Sequence, residues 1–150
     1  MVENGNFMRL RKVLLIIGSV LVVFGPVTVG CSESTTQSGA GGKSVVATLD
    51  GAEAFRQALA DAGTGLVVVD FYADWCAPCR QLSPMLEEIA RAHPDKATFY
   101  KVDVDRNGDL MRVFRITGIP HVMFFRNSQT VHSIIGVQHK DAYVKALDRL

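Results

Sequence analysis

Cysteine is scarce in this sequence: Cys31, Cys76 and Cys79 are the only three. That is too few to staple a small scaffold with disulfides, so the fold must rest on a hydrophobic core. At 150 residues the chain is long enough to build one. A second cysteine pair, which would complete a four-sulfur zinc site, is also missing. Charge of one sign is lacking as well. The formal net charge is +1, and the first 30 residues hold Arg9, Arg11 and Lys12 against Glu3 alone. Without that segment 13 basic residues face 14 acidic ones, and no basic stripe is left for nucleic acid. There are no internal repeats. The apolar run Val13 to Phe24 is short for a membrane span and closes at Gly25-Pro26.

What the N-terminus does contain is a charged end, an apolar stretch and a run of small or weakly polar residues up to Gly30, the pattern of an export signal. Thr28-Val29-Gly30-Cys31 resembles a bacterial lipoprotein box, with Thr28 in place of the usual aliphatic residue. That resemblance implies cleavage after Gly30 and a lipid on Cys31. An uncleaved anchor reaching Val29 and a plain secretory signal are the alternatives. Ser32 to Gly42 is rich in Ser, Thr and Gly and cannot bury enough apolar surface to order itself. The expected organisation is a signal over 1–30, a lipidated cysteine and linker over 31–42, and one domain over 43–150.

Within the domain, Val45 to Leu49 reads as a short strand and Asp50 as the N-cap of a helix to about Asp61. Phe55, Ala58 and Leu59 give that helix its apolar side. Leu66 to Tyr72 is apolar apart from Asp70, which predicts a central strand covered on both faces. A helix from about Cys76 to Ala92 carries Leu82, Met85, Leu86 and Ile89 along one side, with Pro84 expected to kink it. Ala97 to Val104 predicts a strand, and Asp109 to Phe114 a helix. Val122 to Arg126 and Thr130 to Ile135 flank Asn127-Ser128-Gln129 as a hairpin. Lys140 to Leu150 closes the chain as a helix. This order implies an α/β fold, a mixed sheet with helices on both faces.

Cys76 and Cys79, in Trp75-Cys76-Ala77-Pro78-Cys79-Arg80, stand where the central strand gives way to a helix. Residues i and i+3 share a helix face, which brings their α-carbons within the roughly 4.4–6.8 Å that a disulfide needs. Unpaired N–H groups in the opening turn favour a thiolate on the first sulfur. Asp70, desolvated in its strand, should have a raised pKa and exchange a proton near neutral pH.

Three separated motifs resemble the thioredoxin family over essentially all of 43–150. They are Val69 to Arg80, Lys101-Val102-Asp103-Val104-Asp105, and Gly118-Ile119-Pro120. The resemblance implies a thioredoxin fold and dithiol–disulfide exchange, with Cys76 as nucleophile and Cys79 as resolving thiol. It further implies that Asp70 accepts the Cys79 proton, that Lys101 moderates the acid, and that Pro120 is cis and faces the cysteines. Trp75, Ile119 and Pro120 would meet the substrate, and Ile119 resembles the residue of reducing thioredoxins. Tyr72 is expected in the core. His121 departs from the small polar residue common after this proline. It is expected to be structural or solvated, with thiolate tuning or metal binding beside the cysteines as the alternatives. No cofactor or metal beyond the redox-active cysteine pair is expected.

The function expected is a tethered reductase of disulfides in exported proteins, outside the cytoplasm, fed by a membrane electron donor and monomeric. An oxidase or isomerase with the same residues is the rival. A non-catalytic apocytochrome, metallochaperone or peptide-binding module is the alternative from another class.

Overall fold

The computed structural model describes residues 44–150. The signal segment, Cys31 and the linker lie outside the described residues.

The sheet has five strands: β1 (Ala47–Thr48), β2 (Leu66–Tyr72), β3 (Ala97–Asp103), β4 (His121–Arg126) and β5 (Gln129–Ile135). Their order is β1-β3-β2-β4-β5. β1, β3 and β2 run parallel, whereas β4 is antiparallel to both β2 and β5. Four helices cover it: α1 (Gly51–Ala62), α2 (Ala77–Ala92), α3 (Gly108–Val113) and α4 (Lys140–Arg149). β2 is central because its residues, Asp70 included, are apolar enough or enclosed enough to be covered on both sides; only Tyr72 is less than fully buried. Tyr72, expected in the core, meets it only in part: it packs against the buried cluster that contains Phe71. It lies at the strand's end, half-buried, with Lys101 Nζ 5.4 Å from its ring centroid.

Successive strand residues point to opposite faces. On one face Val67, Val69 and Phe71 join Phe55 and Leu59 of α1 and Leu110 of α3. On the other, Leu66, Val68 and Phe124 join Leu82, Leu86 and Ile89 of α2 and Tyr143 and Leu147 of α4. The first face is knit by four phenylalanines, Phe55, Phe71, Phe114 and Phe125, with centroids 5.1–6.2 Å apart in the contacting pairs. Truncating Phe55 to Ala should cost about 3–5 kcal/mol.

Local corrections have simple causes. Asp50 is the N-cap of α1 but makes no capping bond; its carboxylate pairs with Arg106 at 2.6 Å, and Asn107 Oδ1 takes the Gly51 N–H instead. Helix α2 begins one residue later than expected because Cys76 itself is the cap, and it runs on through Pro84 to Ala92. The hairpin turn is only Asn127-Ser128, both at positive φ (52° and 60°), as a tight two-residue turn requires. Gln129 already pairs with Arg126.

Candidate active site

The end of β2 delivers the chain through Ala73, Asp74 and Trp75 to the start of α2. Cys76 N–H donates to Ala73 O at 3.1 Å, which turns the loop toward the helix. Pro78 falls in the first helical turn, where a missing N–H loses nothing. The Cys79 N–H donates to Cys76 Sγ at 3.2 Å, so a sulfur caps the helix where an oxygen ordinarily does. Cys76 and Cys79 form a disulfide with α-carbons 5.3 Å apart. The helix N-terminus therefore polarises the first sulfur, as the spacing implied. Cys79 is 2% exposed and Cys76 4%, whereas Trp75, the residue before Cys76, is 67% exposed.

Trp75 Nε1 donates to Asp105 Oδ2 at 2.8 Å, which fixes an otherwise free indole next to the cysteines. Asp105 belongs to the second motif, which by itself implies no role for it. Its position just past the end of β3 is the signal that could have found it. Arg80 Nη1 donates to Asp74 O at 2.7 Å and so braces the loop in front of Cys76.

Asp70 is 4% exposed, and its Oδ1 has no hydrogen-bond partner. By alternation with Val68 it lies on the α2 and α4 face. Burial raises its pKa from 3.8 to about 7, and the charge on Lys101 lowers it part of the way back. Lys101 is its register partner on β3, as the motif implied. A cavity of about 170 Å³ is walled by Cys79, Ser83, Tyr72 and Lys101, giving the second cysteine a polar neighbourhood. Ser83 stands one helical turn beyond Cys79, and nothing in the sequence singles it out.

The Ile119–Pro120 peptide bond is cis, as the resemblance implied. Ile119 packs against the buried cluster that contains Cys76 and Cys79. Pro120 O accepts from Gly136 N–H at 2.8 Å, tying this loop to the end of β5; Gly136 adopts φ of 74°, which a side chain would resist. Ile135 beside it is 57% exposed. His121 is buried, not solvated, and both ring nitrogens lack partners. Its environment is apolar because Phe71 and Ile135 stand directly across from it on the two neighbouring strands. Among the described residues no three His, Cys, Asp or Glu side chains are gathered to hold a metal ion. Cys31 lies outside the described residues.

A disulfide-bonded cysteine pair whose first sulfur caps a helix, a buried acid on the strand that leads into it and a cis-proline loop define a dithiol–disulfide oxidoreductase domain. The chain belongs to the thioredoxin family, whose model matches residues 45–149. It is 44% identical over 87 residues to a thioredoxin of Alicyclobacillus acidocaldarius, covering 58% of this chain and 81% of the relative. A Staphylococcus aureus thioredoxin is 36% identical over 86 residues, 57% of this chain and 83% of its own. Among solved structures, Fasciola hepatica thioredoxin superposes with a TM-score of 0.66 at 29% identity, over 69% of this chain and 98% of that one. Malassezia sympodialis thioredoxin gives 0.64 at 31%, over 69% and 91%.

Proposed function

We propose that this chain is a membrane-tethered protein-disulfide reductase acting on exported proteins. The observation that carries the chemistry is the Cys76 sulfur at the N-cap of α2, holding the Cys79 N–H, with Cys79 within bonding reach. In the reduced protein the Cys76 thiolate attacks a substrate disulfide. The substrate S–S bond breaks, a mixed disulfide forms on Cys76, and one substrate sulfur leaves as thiolate. Cys79 then attacks the Cys76 sulfur, and its proton passes to Asp70, whose pKa of about 7 suits that exchange. The second substrate sulfur leaves, and the Cys76–Cys79 bond closes.

Ionisation alone gives a modest gain. A thiol of pKa about 8.5 is only ~3% ionised at pH 7, whereas one at about 7, usual for thioredoxins, is half ionised. Nucleophilicity falls with a Brønsted slope of about 0.4–0.5, so the net gain is several-fold. Positioning supplies the remainder: Trp75 immediately precedes Cys76, Ile119 packs against the cluster that holds both cysteines, and with Pro120 they would meet the substrate chain, which docks by strand addition at the cis-proline loop. Lys101 keeps Asp70 from drifting too high. The disulfide is the redox centre, and no other cofactor is required.

Tethering rests on the export pattern before Cys31 and the lipid expected on it. Outside the cytoplasm no glutathione pool keeps a dithiol reduced, so a membrane electron donor must do so. The test is reduction of insulin disulfides by the full chain. Changing Cys76 and Cys79 to Ser should abolish activity, whereas a peptide-holding module would still bind its partner unchanged. A midpoint against glutathione near −120 mV would instead make the protein an oxidase. Labelled fatty acid should enter the wild type and not Cys31→Ser.

A further inference from the structure

The exchange chemistry leaves His121 unused. It opens β4 immediately after the cis-proline and is 6% exposed, with neither Nδ1 nor Nε2 hydrogen-bonded. Burial is what lowers its pKa below the ordinary histidine value, and no charged neighbour contributes. The ring is therefore neutral at neutral pH, with one N–H donor and one bare acceptor nitrogen. Folded proteins rarely keep such a buried donor unpaired without a use for it.

Its surroundings indicate the use. Alternation puts His121 on the same sheet face as Met123 and Phe125, directly across from Phe71 of β2. Phe71 and Met123 belong to the buried cluster that contains Cys76 and Cys79, and Ile119 packs against that cluster. On its own face, then, His121 is bracketed by residues that share a cluster with the two sulfurs. A disulfide is a poor hydrogen-bond acceptor, but a thiolate is a strong, charged one.

We propose that His121 is a positioning residue for the reduced state, its ring N–H becoming the donor to the sulfur that turns anionic when the Cys76–Cys79 bond opens. This role rests on the dithiol chemistry proposed above. Two glutathione thiols supply two electrons and become one glutathione disulfide. The Cys76–Cys79 bond breaks, Cys79 keeps one proton as a thiol, Cys76 remains a thiolate, and the second proton goes to solvent. The imidazole, idle in the oxidised protein, then holds the thiolate and favours the reduced form.

The test is the equilibrium of the full chain with glutathione at pH 7, together with thiolate absorbance against pH, for the wild type, His121→Leu and His121→Gln. His121→Leu should lower the equilibrium constant for reduction about tenfold, the factor expected for one hydrogen bond to a charged group, and should move thiolate formation to higher pH. His121→Gln keeps an N–H donor and should recover most of both. In the wild type, the ring-nitrogen resonances of labelled histidine should shift on reduction, a measurement that holds even if the Leu variant does not fold. Equal constants for wild type and His121→Leu, or ring resonances indifferent to reduction, would overturn the proposal. So would a loss that His121→Gln fails to recover, since that marks packing alone. A wild type that does not equilibrate with glutathione at all would overturn the dithiol chemistry as well, and so is distinguishable from failure of His121 alone.

Discussion

The two faces of the sheet meet at the active-site end with opposite solutions to one problem. On the α2 and α4 face, Asp70 is buried with an orphan oxygen, and a cation, Lys101, stands in register beside it. On the α1 and α3 face, His121 is buried with two orphan nitrogens and no charge to relieve it. Desolvation disfavours the ionised form of each, so the carboxyl is pushed up and the imidazole down. Both groups therefore favour neutrality, and their contributions to stability run in opposite directions with pH.

Asp70 binds its proton in the folded state up to about pH 7 but releases it near 3.8 when unfolded. The folded state holds more protons in that window, so stability falls as pH rises from about 4 to 7. Carrying a carboxyl from 3.8 to about 7 costs the ionised folded state on the order of 4 kcal/mol. Asp70→Asn should abolish that loss, which makes it the largest of the expected effects. Urea unfolding of the oxidised protein at pH 5 and pH 8 measures it; a wild type as stable at pH 8 as the Asn variant would break the contrast between the faces. On the mechanism proposed above, the same substitution should prolong the mixed disulfide on Cys76, because resolution by Cys79 would lose its proton acceptor.

His121 has the reverse slope. Its folded value lies below the unfolded 6.5, so the unfolded chain binds the proton first and stability falls as pH drops below about 6.5. His121→Leu should flatten this acid limb. It should also stabilise the oxidised protein by about 1–3 kcal/mol, because a buried donor no longer goes unpaired. Unfolding midpoints of the oxidised form at pH 5 and pH 7.5 separate the two effects. If the Leu variant is less stable at both pH values, the ring is holding the fold by packing and the orphan nitrogens are of little consequence.

Much of the asymmetry between the faces is written in the sequence, but unevenly. A single acid in Val67-Val68-Val69-Asp70-Phe71 contradicts its apolar context so plainly that burial and a raised pKa follow from pattern alone. The elements are equally legible, since periodicity and turn residues are local. Contacts made across the fold are not. Asp50 looks like a capping residue by its position, yet its carboxylate is drawn to Arg106, 56 positions away, and Asn107 takes over the cap. Asp105 gains a role only because β3 ends within reach of the Trp75 indole. His121 looks ordinary because His-Val-Met-Phe-Phe starts a strand, where a polar residue usually meets water. What buries it is the pairing of β4 with both β2 and β5, a property of strand order.

Lys101 is what distinguishes the acid's face, so removing it should make the two faces more alike. Lys101→Met leaves Asp70 desolvated with no opposing charge, and its pKa should rise further above about 7. The move should be smaller than the whole displacement from 3.8, because burial is the larger cause and Lys101 keeps partial access to water. Carboxyl-carbon resonances of Asp70 followed through a pH titration would record it. The pH dependence of resolution should slide in the alkaline direction with it. An unmoved Asp70 titration would mean that register alone does not couple the two groups.

The smallest effect on stability should come from outside both faces. Trp75 is held by Asp105 at the surface, and each of the two is exposed. Deleting an exposed hydrogen bond rarely changes stability by more than about 0.5 kcal/mol, since water replaces the lost partner. Asp105→Ala should thus leave both pH limbs intact, because neither Asp70 nor His121 changes its burial. Substrate docking is another matter. A freed indole must be ordered again each time a polypeptide meets the cysteines, and ordering a large side chain costs about 0.5–1.5 kcal/mol. KM for a disulfide substrate should rise several-fold while the glutathione equilibrium, which needs no docking surface, stays where it was. A shift in that equilibrium would instead tie Asp105 to the sulfurs themselves, and the division between the chemistry under the sheet's two faces and the recognition at its rim would not hold.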